Sequence, residues 1–112
     1  MQAIYDKANE LADLILNSEA YRNIRAAEKK VEGNAEVKKI VEEYNRVAGK
    51  IAQKERELKP IEPDEKHEML RVREQMQSNL LLQELLKAQT EYAMMMNRIN
   101  TILMSKLERK EG

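Results

Sequence analysis

The chain has 112 residues, of which 36% are charged, and its 20 basic side chains are balanced by 20 acidic ones. That length suits one domain with a modest core. The absence of net charge argues against attraction of the whole molecule to nucleic acid or to an anionic membrane. The chain has no cysteine, which excludes disulfides, thiolate catalysis and cysteine-bound clusters. No apolar run approaches the ~18 residues of a membrane span, so we expect a soluble, cytoplasmic protein.

The composition indicates a helical protein. Three Gly and two Pro leave little material for tight turns, and the only aromatic residues are four Tyr. Abundant Glu, Lys, Leu and Ala at helical spacing are typical of long helices. We predict an all-α fold of about five helices, arranged as an elongated, coiled-coil-like hairpin or bundle. We expect it to be a single domain over residues 1–112 and to form a dimer.

The N-terminal helices are predicted over about residues 2–32. Ser18 is a candidate N-cap for the second of them. Gly33 is expected to take the left-handed conformation that ends this helix, and Asn34 to cap the next one. The first helix carries one apolar stripe at helical spacing, formed by Ile4, Ala8, Leu11 and Ile15.

The hairpin arms are predicted over about residues 35–58 and 64–107, with the turn at 59–63. The apolar stripe of the first arm ends at Leu58, and Gly49 inside it suggests a close approach by a neighbour. Pro63 suits the first turn of the second arm. Ser78 and Asn79 either cap a fresh helix or form a slight irregularity in a continuous one, and we favour near-continuity. The tail from Glu108 is expected to fray.

Two adjacent apolar stripes run along the last third of the chain. Such a face is too wide for a single partner helix, so this segment needs cover on two sides. We therefore predict a homodimer, with Met94 as the best candidate for an exposed contact. The first stripe consists of Leu81, Leu85, Ala88, Tyr92, Met95, Ile99 and Ile102, and the second of Leu82, Leu86, Ala93, Met96, Leu103 and Leu107. The predicted oligomer or partner interface comprises Leu81, Leu82, Leu85, Leu86, Tyr92, Met94, Met95, Met96, Ile99 and Leu103.

No residue pattern supports catalysis or cofactor binding. His67 is the only histidine. His67-Glu68 begins like a zinc-protease motif, but Arg71 occupies the position of the second metal ligand. Adjacent acids such as Glu42-Glu43 point about 100° apart on a helix and do not converge on one substrate. We predict no enzyme activity, no metal and no cofactor.

A set of apolar and capping residues runs through the whole chain: Leu11 to Ile15, Ser18, Tyr21, Ala27, Gly33-Asn34, Ile40-Val41, Tyr44, Asn79, Leu82, Leu85, Ala88-Gln89 and the apolar run to Leu103. This packing pattern resembles the YlbF/YmcA family of small helical bacterial proteins. The resemblance implies an all-helical, dimer-forming cytoplasmic protein of Gram-positive bacteria that regulates competence, sporulation and biofilm development. Some members assist an endoribonuclease, and some carry a cysteine-bearing tail linked to an iron–sulfur cluster, but this chain has no cysteine.

Three functions remain open from the sequence. The first is a non-catalytic regulatory or adaptor protein that forms a homo-oligomer and binds protein partners through its helix faces. The second is an accessory protein of RNA processing that contacts RNA or an endoribonuclease directly, although near-zero net charge and dispersed tyrosines make direct nucleic-acid binding the weaker interpretation. The third is a chaperone-like hairpin that grips clients at its tip, for which Ile61 is the only obvious exposed apolar residue.

Overall fold

The protein is all-α, as predicted, and contains five helices among the residues that the structure describes. The structure is a computed structural model that describes residues 1–109. Residues 110–112, which belong to the tail predicted to fray, lie outside the described residues. The helices are α1 (Gln2–Leu16), α2 (Glu19–Glu32), α3 (Ala35–Arg56), α4 (Pro63–Ser78) and α5 (Leu80–Arg109).

The chain divides into two compact units. The terminal unit contains Met1–Glu28 and the part of α5 that starts at Leu86, whereas the hairpin unit contains Lys29–Leu85. In the hairpin unit, α3 and α4 run antiparallel, as two ion pairs between them show: Arg46 pairs with Glu68, and Lys54 pairs with Glu65. The residue numbers of these partners rise on one helix as they fall on the other.

The core of the hairpin unit is built from β-branched side chains. Val37 and Val47 on α3 retain 2% of their exposure, and Val72 on α4 retains none. Val37 and Val47 lie ten residues apart, which is roughly 2.8 helical turns and places their side chains about 80° apart around the helix. Burial of each such side chain stabilises the fold by roughly 1.5–3 kcal/mol. Leu82, at the start of α5, is also buried in this unit, with 8% exposure.

Side-chain caps set most of the helix starts. The Ser18 hydroxyl accepts a hydrogen bond from the Tyr21 N–H at 3.2 Å. The side-chain oxygen of Asn34 accepts one from the Val37 N–H at 3.1 Å. These bonds satisfy N–H groups that have no partner inside the helix. Both caps and the position of Pro63 in the first turn of α4 are confirmed.

The end of α2 differs from the prediction at Gly33. No glycine among the described residues has positive φ, so Gly33 does not take the left-handed conformation. Instead, the Gly33 N–H donates to the Lys29 carbonyl at 3.0 Å, and the chain changes direction at Asn34, whose backbone is extended at φ −118° and ψ 107°. The prediction for Gly49 is also wrong, because a Cβ added there meets no atom within 4 Å.

The end of α3 lies before Leu58. The predicted helix and its apolar stripe included this residue, but α3 ends at Arg56 and Leu58 is 92% exposed with φ +57°. The Lys59 N–H donates to the Lys54 carbonyl at 2.9 Å and the Leu58 N–H to the Glu55 carbonyl at 3.2 Å. These two bonds define a Schellman motif, whose left-handed position is usually occupied by glycine.

The prediction of near-continuity between α4 and α5 is wrong. Asn79 has an extended backbone with ψ 122°, which ends α4. Its side-chain oxygen then accepts from the Leu82 N–H at 3.1 Å, and its backbone carbonyl accepts from the Gln83 N–H at 3.0 Å. A good N-cap residue competes with helix propagation at this position. Of the two alternatives at Ser78 and Asn79, a capped new helix and an irregularity in a continuous one, the chain therefore has the capped new helix.

Candidate interaction face on helix α5

Within the terminal unit, one side of α5 is covered by the protein's own chain. Ala88 retains 5% of its exposure, and Tyr92, Met95 and Ile99 are half-buried. The Tyr92 ring lies against the Tyr21 ring of α2, with 6.1 Å between centroids and 56° between planes. This tilted arrangement is one that aromatic pairs prefer. The first predicted stripe is therefore intramolecular packing over this part of its length.

The second predicted stripe is largely uncovered in the same unit. We use the term open face for Leu86, Ala93, Met96, Leu103 and Leu107. Leu86 is 64% exposed, Leu103 52% and Leu107 63%, while Ala93 is exposed and Met96 half-buried. Successive members of this set are separated by seven, three, seven and four residues, so they share one side of the helix. The open face is thus a mainly apolar surface with little cover from its own chain. Exposed Gln89 and Asn100 lie between its members on the same side of the helix.

The open face is also free of charge. From Leu86 to Ser105 the only charged residues are Lys87, Glu91 and Arg98. Their spacings of four and seven place all three on one line along the helix. At the average frequency of this chain, 36%, about seven would be expected over these twenty residues. Depletion of charge together with exposed Leu and Met is typical of the core of a protein interface.

The ten residues predicted as an interface divide between the two units. Leu82 is buried in the hairpin unit, where Leu81 and Leu85 are half-buried. The other seven belong to the terminal unit: Leu86, Met94 and Leu103 are exposed, and Tyr92, Met95, Met96 and Ile99 are half-buried. Met94 is 66% exposed, and its role as a contact stays a prediction. Leu107 of the second stripe is 63% exposed as well, although it is not among the ten predicted interface residues.

The hairpin unit carries a second surface feature, a ladder of ion pairs between α3 and α4. Arg46 donates to Glu43 at 2.7 Å and to Glu68 at 2.6 Å, and Arg71 lies 3.5 Å from Glu43. The hydrogen bond from Arg46 is the main cause that lowers the pKa of Glu43, and the two carboxylates in turn raise the pKa of Arg46.

An open groove of about 530 Å³ lies beside this ladder, lined by Lys39, Ile40, Glu42, Glu43, Arg46, Arg71 and Gln75. The guanidinium groups of its two arginines are already paired with carboxylates. The groove therefore offers no concentrated charge for a ligand, and its ion pairs serve to join the two helices.

Glu65 anchors the tip of the hairpin. It accepts from the Lys54 ammonium of α3 and, at 2.9 Å, from the Glu62 N–H at the start of α4. The Lys54 bond is the larger cause that lowers the pKa of Glu65, followed by the Glu62 bond. On the outer side of the tip, Lys59 and then Gln53 lower the pKa of Glu57 by hydrogen bonding.

Among residues 1–109 we find no group of three His, Cys, Asp or Glu placed to hold a metal ion. His67 is exposed on α4. In the same range, none of the helices combines the length and apolar character that crossing a bilayer requires.

The helix order, the antiparallel hairpin and the capped helix starts define a class of small all-helical proteins. A family described as control of competence regulator ComK, YlbF/YmcA, matches residues 4–108. The chain belongs to the YlbF/YmcA family, which confirms the resemblance seen in the sequence.

Relatives in the same family are bacterial proteins designated UPF0342. One from Alkalihalophilus pseudofirmus is 26% identical over 112 residues, covering 100% of this chain and 95% of that protein. One from Streptococcus suis is 38% identical over 89 residues, covering 79% of each chain.

Two solved structures share the fold. A chain from the crystal structure of Bacillus subtilis RicA in complex with RicF superposes with a TM-score of 0.83 at 17% identity, covering 98% of this chain and 97% of the other. A protein of unknown function (DUF964) from Bacillus stearothermophilus gives a TM-score of 0.72 at 19% identity, with 95% and 93% coverage. At these identities the likeness concerns the fold.

Proposed function

We propose that this protein is a non-catalytic regulatory or adaptor protein that forms a homo-oligomer and binds protein partners through α5 in the cytoplasm. The observation that carries the proposal is the open face, which is apolar, uncharged and exposed in a chain that is 36% charged. Exposed apolar residues gathered on one face of a helix mark a surface for contacts with other proteins.

The family supports a role of this kind. Its description is control of a competence regulator, and one chain of the same fold was solved in a complex of two different proteins, RicA and RicF. Both observations fit a protein whose activity lies in contacts with other proteins. We extend that role to this chain because the open face provides a surface for such contacts.

The oligomeric state tests the proposal directly. Size-exclusion chromatography with light scattering should give a mass above that of one chain at micromolar concentration. Leu103→Asp should lower that mass, because it places a charge on the open face. The matched control is Leu70→Asp, which changes a leucine of similar exposure, 55%, on α4. A wild-type chain that is monomeric throughout this range contradicts the proposal.

Partner identity requires a second experiment. The wild-type protein and the Leu103→Asp variant should be used as baits in extracts of the native host, with bound proteins identified by mass spectrometry. Partners that use the open face should be retained by the wild type and by Leu70→Asp, and lost with Leu103→Asp.

Direct RNA binding is the less favoured alternative. The charges of the chain cancel, and its tyrosines form one pair, Tyr21 with Tyr92, within the described residues of the terminal unit rather than a platform for bases. Binding measured at about 150 mM salt that weakens steeply as salt rises would favour the alternative.

A further inference from the structure

Helix α1 lacks the local features that stabilise a helix of its length. It has 15 residues, no buried residue, no side-chain cap at Met1, no acidic residue in its first turn and no basic residue in its last. Helices of about 12–15 residues are marginal in water without tertiary packing. The bond from Gln2 to Asp6 and the pair between Lys7 and Glu10 are exposed, and such pairs contribute only ~0.2–0.5 kcal/mol each.

The apolar stripe of α1 is covered at one end only. Leu11 and Ile15 are half-buried, whereas Ala8 is exposed and Ile4 is 68% exposed. All four residues share one side of the helix. The stripe therefore continues beyond the part that its own chain covers, and its N-terminal half lacks a partner.

The open face of α5 belongs to the same unit and also lacks a partner. Among the described residues, fourteen large apolar side chains are exposed by 51% or more, and eleven of them belong to the terminal unit. Four of the eleven lie on the α1 stripe or the open face: Ile4, Leu86, Leu103 and Leu107. At roughly 100 Å² each, these four expose about 400 Å² per chain, which is about half of the ~800 Å² per partner of a standard interface. One reciprocal contact between two copies can cover both surfaces.

We propose that α1 of one copy docks in trans on the open face of α5 of a second copy, so that α1 is fully ordered only in the dimer. This inference rests on the proposed homo-oligomer and adds the element that forms it. A contact between two α5 helices alone would leave Ile4 and Ala8 exposed, and for that reason we favour the reciprocal arrangement. Because α1 gains this packing only in the dimer, the formation of helix α1 also depends on protein concentration.

Single-cysteine variants test this contact, because the chain has no cysteine of its own. The Ala8→Cys variant is mixed with a second variant, Leu86→Cys, Ala93→Cys or Leu103→Cys. The second variant carries a longer tag, so that the two chains differ in size, and the mixture is oxidised mildly. Each chain then has one thiol, so every disulfide joins two copies. The control is Leu80→Cys, which lies on α5 in the hairpin unit and is 75% exposed.

The proposal predicts that Ala8→Cys cross-links with at least one open-face position ~10-fold more than with Leu80→Cys, because docking raises the effective concentration of the two thiols. Ile4→Ser should raise the dissociation constant of the dimer by ~100-fold, since both copies lose an apolar contact. It should also reduce the protection of α1 amides from hydrogen exchange at high concentration. Leu80→Ser should change neither quantity.

Different failures have different meanings. If open-face cysteines cross-link only with each other and Ile4→Ser remains dimeric, α1 is not the docking element, although the homo-oligomer stands. If α1 amides are equally protected at all concentrations, α1 is ordered by its own chain and the proposal is overturned. If light scattering gives a monomer at micromolar concentration, both this inference and the proposed function fail.

Discussion

Leu58→Gly should stabilise the protein, although it removes a large apolar side chain. Leu58 occupies the left-handed position of the Schellman motif after α3, with φ +57°. A left-handed backbone costs an L-residue with a Cβ roughly 1–2 kcal/mol, and glycine does not incur this cost. At 92% exposure the leucine makes almost no contact that could offset it.

The net gain is smaller than the strain itself. Glycine is more flexible in the unfolded chain, which costs ~0.4–1 kcal/mol on folding. The lost burial of Leu58, about a tenth of the side chain, costs only ~0.2 kcal/mol. We therefore expect the free energy of unfolding to rise by about 0.5–1 kcal/mol, which corresponds to an increase in Tm of about 2–5 °C for a chain of this size.

Urea denaturation followed by circular dichroism, at matched protein concentration, measures this change. Leu58→Ala is the matched control, because it keeps the Cβ and the strained backbone, and we expect its stability to stay close to that of the wild type. Leu58→Asn should stabilise, because asparagine tolerates the left-handed region. A loss of about 1 kcal/mol or more in the free energy of unfolding is on the scale of a buried contact. If both Leu58→Gly and Leu58→Ala show such a loss, Leu58 contacts another surface in solution and the strain argument is wrong.

The remaining predictions concern the hairpin unit. Val72→Ala should lower the free energy of unfolding by about 2 kcal/mol, because it removes methyl groups from a fully buried site; Gln75→Ala, on the exposed side of the same helix, should have little effect in the same urea titration. Asn34→Ala should cost about 1 kcal/mol through loss of the cap on α3, and Asn34→Ser should recover most of it. Glu43 and Glu65 have pKa values below the ordinary 4.5, so their stabilising effect is present above pH 4.5 and is lost as the pH falls through their lowered values. The Glu43→Gln, Glu65→Gln double variant should show a weaker loss of stability in acid, and an unchanged acid profile would contradict this assignment.

The open face shows why exposure could not be read from the sequence. Both stripes of α5 have the same spacing and similar side chains, so the pattern predicted that the helix needs cover on two sides without indicating which side its own chain provides. That choice depends on α2, whose Tyr21 meets Tyr92 in the terminal unit. The same limitation applies to the three methionines at 94–96, of which only Met94 is largely exposed.

Local chemistry by itself determined the helical class, the five helices, the caps at Ser18 and Asn34 and the start of α4 at Pro63. These features depend on neighbours within a few residues, whose spacing and hydrogen-bonding groups are visible in the sequence. Only the tertiary structure decided that Gly49 faces open space and that one stripe of α5 is covered while the other is largely open. Each of these outcomes depends on which segments distant in the chain come to lie against a given side chain, and helical spacing is the same whether or not such a neighbour is present.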